Sequence, residues 1–233
     1  MEDFEYRFPR WVKFRLGFST ITGLAEPLDR AYPWVFKATL VEGAWHRVVR
    51  LWLPSLPTLL QRCIRILWPR YALPSCVVLK KLRGPFVDDG EIVSKTEEFD
   101  NEKTMYRRLR SVQGCAVPVF YGEAQCEGRR TLVLSMLAGQ TLRNQTQPHL
   151  TVEEFTACIE APIRALQQHG LIYSDNKLSN IMLVDGRIML VDLEWVEALE
   201  PEELDAYCSK VTIRSFIRRY REYLASADYG AVT

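Results

Sequence analysis

The chain has 233 residues, enough for one large domain or for two small lobes around a shared cleft. Its hydrophobic content of 48% allows a full core, and 25% charged residues is ordinary for a soluble globular protein. The net charge is +1, so the overall charge gives no reason to expect nucleic acid or a membrane as the main partner.

The cysteines and the first residues bear on the compartment. The six cysteines form no C-x-x-C pair and lie among apolar neighbours, which indicates free thiols in a reducing compartment. The chain begins with Met1-Glu2-Asp3 and shows no hydrophobic region of a signal peptide. Arginines and prolines interrupt the most apolar region, Val48 to Leu73, so it cannot span a membrane. We expect a cytoplasmic or nuclear protein that is not secreted.

The first part of the chain mixes aromatic with charged residues. The even spacing of Phe4, Tyr6 and Phe8 predicts a short strand. We treat residues 1–33 as an N-terminal extension that packs on the outside of the following domain, and we assign it no chemistry.

The next segment predicts strands and then a helix. Residues 34–41 alternate as a strand does, Gly43 lies in a turn, and residues 46–53 are a second strand candidate. Residues 54–71 are predicted to form an amphipathic helix whose apolar stripe packs on the domain and whose arginines are solvated. The alternative is a docking surface for a protein partner or an anionic membrane.

Lys80 and Glu102 are candidate partners. Residues 76–82 form a β-rich run that ends in two lysines, and residues 94–97 are a capping box that begins a helix. Glu102 lies in the apolar stripe of that helix, where an unpaired carboxylate is costly. We therefore expect it to pair with Lys80, with Glu98 as the competing carboxylate. The other members of the stripe are Phe99, Tyr106 and Leu109.

The second half predicts more strands and helices. Residues 118–123 and 131–137 are strands joined by a hairpin at Glu127-Gly128. A capping box at residues 151–154 begins a helix that Pro162 should kink or split, and Gly170 marks its end. Residues beyond 201 suggest one helix or two short ones with a solvated basic face, formed by Arg214, Arg218, Arg219 and Arg221.

One polar loop carries the chemistry. Asp175 and Asn180 lie five positions apart in the stretch Tyr173 to Asn180, with apolar runs on both sides. Asp185-Gly186 predicts a two-residue hairpin that folds the chain back, so that Asp192 returns close to Asn180. These three oxygen-bearing side chains would converge on one spot, and hard oxygen ligands of this kind suit Mg²⁺ bound with phosphates.

The spacing D-x-x-x-x-N followed by a metal-binding Asp resembles the protein-kinase-like superfamily. The run Val191 to Trp195 is similar to the Asp-hydrophobe-Glu form of choline kinases, aminoglycoside phosphotransferases and compact fungal or small atypical kinases. The resemblance implies an α+β fold of two lobes. It assigns residues 34–137 to a β-rich N-lobe, with residues 54–71 as a helical insertion, and residues 138–233 to a shortened helical C-lobe.

The same resemblance implies roles in the loop. Asp175 would orient the acceptor hydroxyl and accept its proton, and Lys177 would steady the γ-phosphate of ATP. Asn180 and Asp192 would hold Mg²⁺. Tyr173 stands where kinases usually have His, as a structural support. Ser174 replaces the usual Arg or Gly, so no switch through a phosphorylated activation loop is expected.

The resemblance also implies nucleotide contacts in the N-lobe. Lys80, fixed by Glu102, would hold the α- and β-phosphates, and the turn at Gly43 would lie over the phosphates without a G-x-G-x-x-G pattern. The backbone of Ser135 and Leu137 would hydrogen-bond adenine. Leu134 would lie behind the base.

Three functions remain open from the sequence. The first is an active phosphotransferase that moves the γ-phosphoryl group of Mg-ATP to a hydroxyl of a protein or a small molecule. The second is a pseudokinase, a nucleotide-binding module without turnover. The third is a subunit of a larger assembly, with a protein partner bound through residues 54–71 or the basic C-terminal helix; nucleic acid is a minority expectation.

Overall fold

The computed structural model describes residues 8–29, 31–88, 91–93, 95–145, 149–200 and 206–230. The chain divides into two compact units. The first unit comprises Met1–Thr96 and Phe120–Met136, and the second comprises Glu97–Val119 and Leu137–Thr233. The mixture of helices and strands confirms the α+β class. Residues 97–119, which the sequence analysis placed in the N-lobe, belong to the second unit.

The first unit is built around a closed barrel of antiparallel strands in the order β1-β2-β3-β4-β8-β7, and β5 and β6 form a separate two-stranded antiparallel sheet. Alternate residues of the barrel strands point inward, and Phe14, Phe36, Val77 and Val133 are almost completely buried. The described strands of this unit are β1 (Arg10–Leu16), β2 (Ser19–Pro27), β3 (Val35–Leu40), β4 (Cys76–Lys81), β5 (Phe86–Asp88), β6 (Glu91–Val93), β7 (Phe120–Cys126) and β8 (Arg129–Ser135).

The N-terminal segment is part of this barrel. The sequence analysis treated residues 1–33 as an extension outside the domain, but β1 pairs with β2 on one side and with β7 on the other. The side chains of Val12 and Phe14 enter the core of the barrel. The strand predicted around Phe4 and Tyr6 lies outside the described residues.

Three helices stand between β3 and β4: α1 (Ala44–Trp52), α2 (Thr58–Leu67) and α3 (Pro69–Ala72). The strand predicted for residues 46–53 is wrong. Gly43 begins α1 instead, because its N–H donates to His46 Nδ1 at 2.9 Å and its carbonyl accepts from the His46 N–H. The helix predicted for residues 54–71 is present, with a break at Trp68 immediately before Pro69.

Several apolar side chains of α2 are exposed and do not pack on the barrel as expected from the sequence. Leu59 is 75% exposed, and Leu60 and Leu67 are also exposed. Amphipathic spacing alone predicts a helix with one apolar face, but it does not show what covers that face. The side chains of Arg62 and Arg65 lie outside the described part of the helix.

An ion pair with a buried lysine joins strand β4 to the turn between β7 and β8. The side chain of Lys81 has no exposed surface, and its Nζ donates to Glu127 Oε2 at 2.7 Å. Glu127 also accepts from Arg10 Nη2 at 2.8 Å. Glu127 and Gly128 have φ values of 52° and 76°, so the predicted two-residue hairpin between β7 and β8 is confirmed.

We expect Glu127→Gln to destabilise the protein by roughly 2 kcal/mol, because it removes a charged partner of a buried ammonium group while keeping the turn. The value is below that for a fully buried pair, since the Glu127 side chain is 28% exposed. Urea unfolding measures the loss. The matched control is Glu26→Gln, which breaks an exposed ion pair with Lys37 and should change stability little. Equal losses for the two variants would contradict the assignment.

The same pair gives a pH dependence. Burial raises the pKa of Glu127, but hydrogen bonds from Lys81 and Arg10 lower it by more, so its pKa lies below the usual 4.5. A carboxylate whose pKa is lower in the folded state than in the unfolded state stabilises the fold at a pH above its unfolded-state pKa. This contribution is lost as the pH falls through the folded-state pKa. The stability difference between wild type and Glu127→Gln should therefore shrink below pH 4.5.

The second unit combines helices with two small sheets, of orders β10-β13 and β12-β11-β9. Gly139 lies so close to β11 that an added Cβ would be 2.2 Å from the Leu183 carbonyl oxygen, so only glycine allows β9 to pair there. The described elements are α4 (Thr96–Arg108), β9 (Gln140–Thr141), α5 (Val152–Gln168), β10 (Leu171–Tyr173), β11 (Ile181–Val184), β12 (Arg187–Leu190), β13 (Val196–Ala198) and α6 (Ala206–Gly230).

Helix α4 has the buried face that its sequence predicts. Phe99, Glu102, Tyr106 and Leu109 are all buried. The capping box proposed at residues 94–97 lies partly outside the described residues, since Ser94 is among those not described. The apolar stripe is therefore confirmed, including the unusual position of a carboxylate within it.

Helices α5 and α6 pack against each other, with the rings of Phe155 and Tyr220 stacked 4.3 Å apart. The predicted capping box of α5 is confirmed, because the Glu154 N–H donates to Thr151 Oγ1 at 3.1 Å and the Thr151 N–H donates to Glu154 Oε2 at 2.8 Å. Pro162 does not split the helix, which is continuous through it. Gly170, with φ of 68°, follows its end.

Helix α6 is one helix over its described length. The predicted start at residues 201–203 lies outside the described residues. The four arginines of its basic face are exposed as expected, at positions 214, 218, 219 and 221. Within the described part of the chain, we find no helix with the length and apolar content needed to cross a membrane.

Candidate functional site

The polar loop of residues 174–180 connects β10 to β11 in the second unit. It ends in a single 3₁₀ turn, in which the Asn180 N–H donates to the Lys177 carbonyl at 3.0 Å. Leu178 is buried and anchors this turn, while Lys177 next to it is exposed. The loop therefore has a fixed end from which its polar side chains project.

Three of the predicted residues meet at one carboxylate. Asp175 Oδ2 accepts a hydrogen bond from Lys177 Nζ at 2.9 Å and another from Asn180 Nδ2 at 3.0 Å. The Asp175 side chain is 10% exposed and that of Lys177 is 61% exposed. The two donors hold the carboxylate in one orientation. Because Asn180 donates through its nitrogen, its Oδ1 is the atom that suits a cation.

The hairpin after the loop forms as predicted. Asp185 and Gly186 have φ values of 49° and 73°, and β11 pairs with β12 in register from Val184 opposite Arg187. The Val191 N–H then donates to the Asn180 carbonyl at 2.9 Å. The backbone that carries Asp192 therefore returns to the loop, as the sequence analysis expected.

Tyr173 fixes this returning segment. Its hydroxyl donates to the carbonyl of Val191 at 2.7 Å and approaches the carbonyl of Asp192 at 3.2 Å. Its ring is buried and lies near that of Phe216 on α6. Asp192 has φ of 62°, a left-handed conformation that Asp and Asn tolerate better than most residues. Tyr173 thus holds the backbone of Val191 and Asp192 in place.

We expect Tyr173→Phe to lower the free energy of unfolding by about 1 kcal/mol, because the carbonyls of Val191 and Asp192 lose the hydroxyl that donates to them. The variant should also weaken Mg²⁺-dependent nucleotide binding. If Tyr173 only stabilised the fold, that binding would stay unchanged. Urea unfolding and a nucleotide titration measure the two effects. The matched control is Tyr223→Phe, whose hydroxyl donates to the Arg143 carbonyl at an exposed site and should matter little to either. Unchanged Mg²⁺ dependence in Tyr173→Phe would contradict the positioning role.

Asp192 belongs to a cluster of three carboxylates. Each of Glu102, Asp192 and Glu194 has one oxygen within 4.8 Å of an oxygen of the other two. Glu102 is completely buried, and its Oε1 accepts from the Leu193 N–H at 3.4 Å. The amide of Asn101 on α4 donates to the carbonyls of Glu194, at 2.8 Å, and Val196. Helix α4 therefore holds the segment that carries two of the three acids.

These acids form an oxygen donor set of the kind that Mg²⁺ prefers, and a divalent cation would offset their mutual repulsion. Sequence reasoning gave Glu194 no role, although its spacing of two from Asp192 was the available signal. It assigned Glu102 to Lys80 instead. Lys80 is buried on β4 of the first unit and Glu102 lies in the second unit, so that pairing stays a prediction.

The other residues that are predicted to contact the nucleotide lie at the end of β8 or follow that strand. Leu134 is buried, and Ser135 pairs with Val77 of β4 as the last residue of the strand. Leu137 is the first residue of the second unit after the barrel. Their roles toward adenine remain predictions.

Gly43 does not form the predicted phosphate-binding hairpin. Its N–H is used by His46 at the start of α1, which removes it from the candidate nucleotide contacts. The two strands before the lysine strand β4 are β2 and β3, and residues 28–34 between them contain no glycine. A glycine-rich loop is therefore lacking at both places.

Comparisons with known proteins resolve the fold. No known protein family and no curated protein matches the sequence. Among solved structures, a cysteine-to-alanine variant of the PknI kinase domain of Mycobacterium tuberculosis aligns with a TM-score of 0.50 and 14% identity, over 84% of this chain and 72% of that chain. The fold is protein-kinase-like. This confirms the resemblance stated from the catalytic-loop spacing at the level of the fold.

Two further structures are also kinases. A divergent Toxoplasma kinase lacking the glycine-rich loop aligns with a TM-score of 0.49 and 16% identity, over 83% of this chain and 66% of that chain. Another PknI kinase domain structure from Mycobacterium tuberculosis aligns with a TM-score of 0.39 and 20% identity, over 53% and 51%. The chain thus spans about two thirds of the Toxoplasma kinase chain and about half of this PknI chain.

Proposed function

We propose that this chain is an ATP-dependent phosphotransferase that moves the γ-phosphoryl group to a hydroxyl acceptor. The observation that carries the proposal is the Asp175 carboxylate, held by Lys177 at 2.9 Å and by Asn180 at 3.0 Å within one loop. Phosphoryl transfer needs positioning and charge neutralisation more than covalent chemistry, and this loop offers a fixed base, an exposed cation and an amide oxygen.

In the proposed reaction, Asp175 accepts the proton of the acceptor hydroxyl as its oxygen bonds to the γ-phosphorus. The bond between that phosphorus and the oxygen bridging to the β-phosphate breaks, and ADP leaves with the electron pair. Lys177 is exposed enough to turn from Asp175 toward the γ-phosphate and to stabilise its charge.

The residues around Asp192 fit Mg²⁺. We propose that Asn180 Oδ1 and the Asp192 carboxylate hold the ion, with Glu194 as a further ligand or a ligand to bound water. Bound Mg²⁺ would neutralise phosphate charge during transfer. Glu102 supports this arrangement through its hydrogen bond from the Leu193 N–H.

The nucleotide contacts of the first unit follow from the kinase resemblance. We propose that Lys80 binds the α- and β-phosphates and that the backbone of Ser135 and Leu137 binds adenine, with Leu134 behind the base. The free cysteines among the described residues fit the reducing cytoplasm or nucleus as the place of action; they are Cys63, Cys76, Cys115, Cys126 and Cys158.

A pseudokinase is the second candidate function. Residues 28–34 contain no glycine and the N–H of Gly43 is engaged by His46, so neither segment offers the phosphate-covering loop of active kinases. The exposed arginines of α6, such as Arg214 and Arg218, favour in addition a role within an assembly that binds an acidic partner.

Thermal unfolding with ATP, measured with and without Mg²⁺, together with ATP turnover, separates these functions. An active enzyme is stabilised by Mg-ATP and consumes it, whereas a pseudokinase is stabilised without turnover. A subunit of an assembly is inert alone and gains turnover with its partner. Absence of any ATP-dependent shift across a wide concentration range would contradict every nucleotide-binding proposal.

A further inference from the structure

The helices between β3 and β4 expose an unusual amount of apolar surface. We call residues 44–72, which span α1 to α3, the helical insertion. Its exposed large side chains are Trp45, Val48, Leu51, Trp52, Leu59, Leu60, Ile66, Leu67 and Trp68. Scattered exposed apolar residues are normal, but a concentration of this kind in one segment indicates a binding surface.

The fold uses the opposite side of the insertion. His46 is buried with its ring 4.9 Å from that of Tyr71, and Leu53 is buried after the end of α1. Trp45, Val48 and Trp52 lie at positions i, i+3 and i+7 of α1, so they share a face that points away from these contacts. The exposed tryptophans are therefore not needed to hold the insertion in place.

The charge of the insertion is one-sided. Its sequence contains five arginines and no Asp or Glu, although the whole chain has 29 acidic residues in 233. Arg50 pairs with Glu42 at 2.5 Å, which offsets one of these charges. Arg70 is exposed beside the ring of Tyr71. The helical insertion is therefore apolar at its exposed side chains and net positive in its sequence.

We propose that the helical insertion docks on an anionic lipid surface, lying in the interface with its tryptophans and leucines inserted among the lipids. Short amphipathic helices with exposed Trp and Leu and an excess of arginine are suited to that position, because apolar burial and attraction to anionic headgroups act together. A second copy of this chain suits the surface less well, since a symmetric contact would bring arginine-rich segments together.

Vesicle flotation of the full chain tests the proposal. We expect the wild type to float with vesicles in which about a quarter of the phosphatidylcholine is replaced by phosphatidylserine, and to bind phosphatidylcholine vesicles at least about tenfold more weakly. The double variant Leu51→Ser, Trp52→Ser should lose binding to the anionic vesicles. Both residues are exposed, so the variant is expected to fold, and thermal unfolding checks this.

The matched control is Trp11→Ser on β1. Trp11 is 66% exposed and Trp52 is 67% exposed, but Trp11 lies on the outside of the barrel and not in the insertion. This control should bind like the wild type. The proposal is overturned if the wild type does not float with anionic vesicles. It is also overturned if the double variant binds them as well as the wild type, or if Trp11→Ser loses as much binding as the double variant. A concentration-dependent dimer that the double variant abolishes, without vesicle binding, would assign the surface to a second copy and overturn it too.

Discussion

Asp175→Asn is expected to lower Mg²⁺-dependent ATP turnover by about a thousandfold, which is within the range that a positioned general base contributes. The asparagine keeps the size of the side chain but cannot take the proton of the acceptor hydroxyl. It also places an amide where Lys177 and Asn180 now donate to a carboxylate oxygen. The stabilisation of the protein by Mg-ATP should largely remain, because Asp175 is not proposed to bind the nucleotide.

Asp185→Asn is the matched control for this variant. Asp185 is an exposed turn residue of the β11–β12 hairpin with φ of 49°, a conformation that asparagine also adopts readily. Its replacement should leave turnover unchanged. Turnover that persists in Asp175→Asn would remove Asp175 as the base, and turnover missing from the wild type as well would favour the pseudokinase function.

Asp192→Asn is expected to weaken Mg²⁺-dependent ATP binding by about 100-fold, or roughly 2.7 kcal/mol. The variant removes the charge proposed to hold the cation but keeps the left-handed backbone, which asparagine tolerates. The effect should appear in both an enzyme and a pseudokinase that use Mg²⁺. The change in ATP affinity is measured by titrating ATP at several Mg²⁺ concentrations, with the thermal unfolding temperature as the readout.

Asp185→Asn is the control for this variant too, because Asp185 and Asp192 are both aspartates with a positive φ. Glu194→Gln adds a comparison within the acidic cluster. If Glu194 helps to bind the cation, its variant should show a smaller loss of Mg²⁺ dependence than Asp192→Asn. Retention of full Mg²⁺ dependence in Asp192→Asn would contradict the proposed metal site.

Local patterns predicted much of the second unit. Asp185-Gly186 specified its hairpin because both positions need positive φ, and the Thr151 capping box specified the start of α5. The stripe that includes Glu102 specified the buried face of α4. In each case the information lies within a few neighbouring residues, which is where sequence reasoning is strongest.

Long-range pairing could not be read in the same way. Strand β1 pairs with β7, more than a hundred residues later, with Leu16 opposite Ala124. The local alternation of residues 10–16 does not identify that partner strand, so the sequence alone predicts an extension outside the domain. The start of α1 could not be predicted for a different reason. The Gly43 N–H donates to the side chain of His46, and a glycine in a turn does not by itself predict that hydrogen bond.

The candidate site was predicted in part. The bonds of Asp175 with Lys177 and Asn180 form within the expected loop, and the chain returns through the bond between the Val191 N–H and the Asn180 carbonyl. Glu194 lies in the Asp-hydrophobe-Glu run that the sequence shows, but its proximity to Glu102 depends on how α4 packs against the segment after β12. That packing is a property of the folded unit and has no local signature.

We propose that Asn180 and Asp192 hold the divalent ion of a bound nucleotide beside Asp175. Anomalous diffraction from a crystal grown with Mn²⁺ and a non-hydrolysable ATP analogue shows where that ion binds. We expect a Mn²⁺ peak about 2 Å from Asn180 Oδ1 and from an Asp192 carboxylate oxygen. A nucleotide bound with its Mn²⁺ away from both side chains would contradict it.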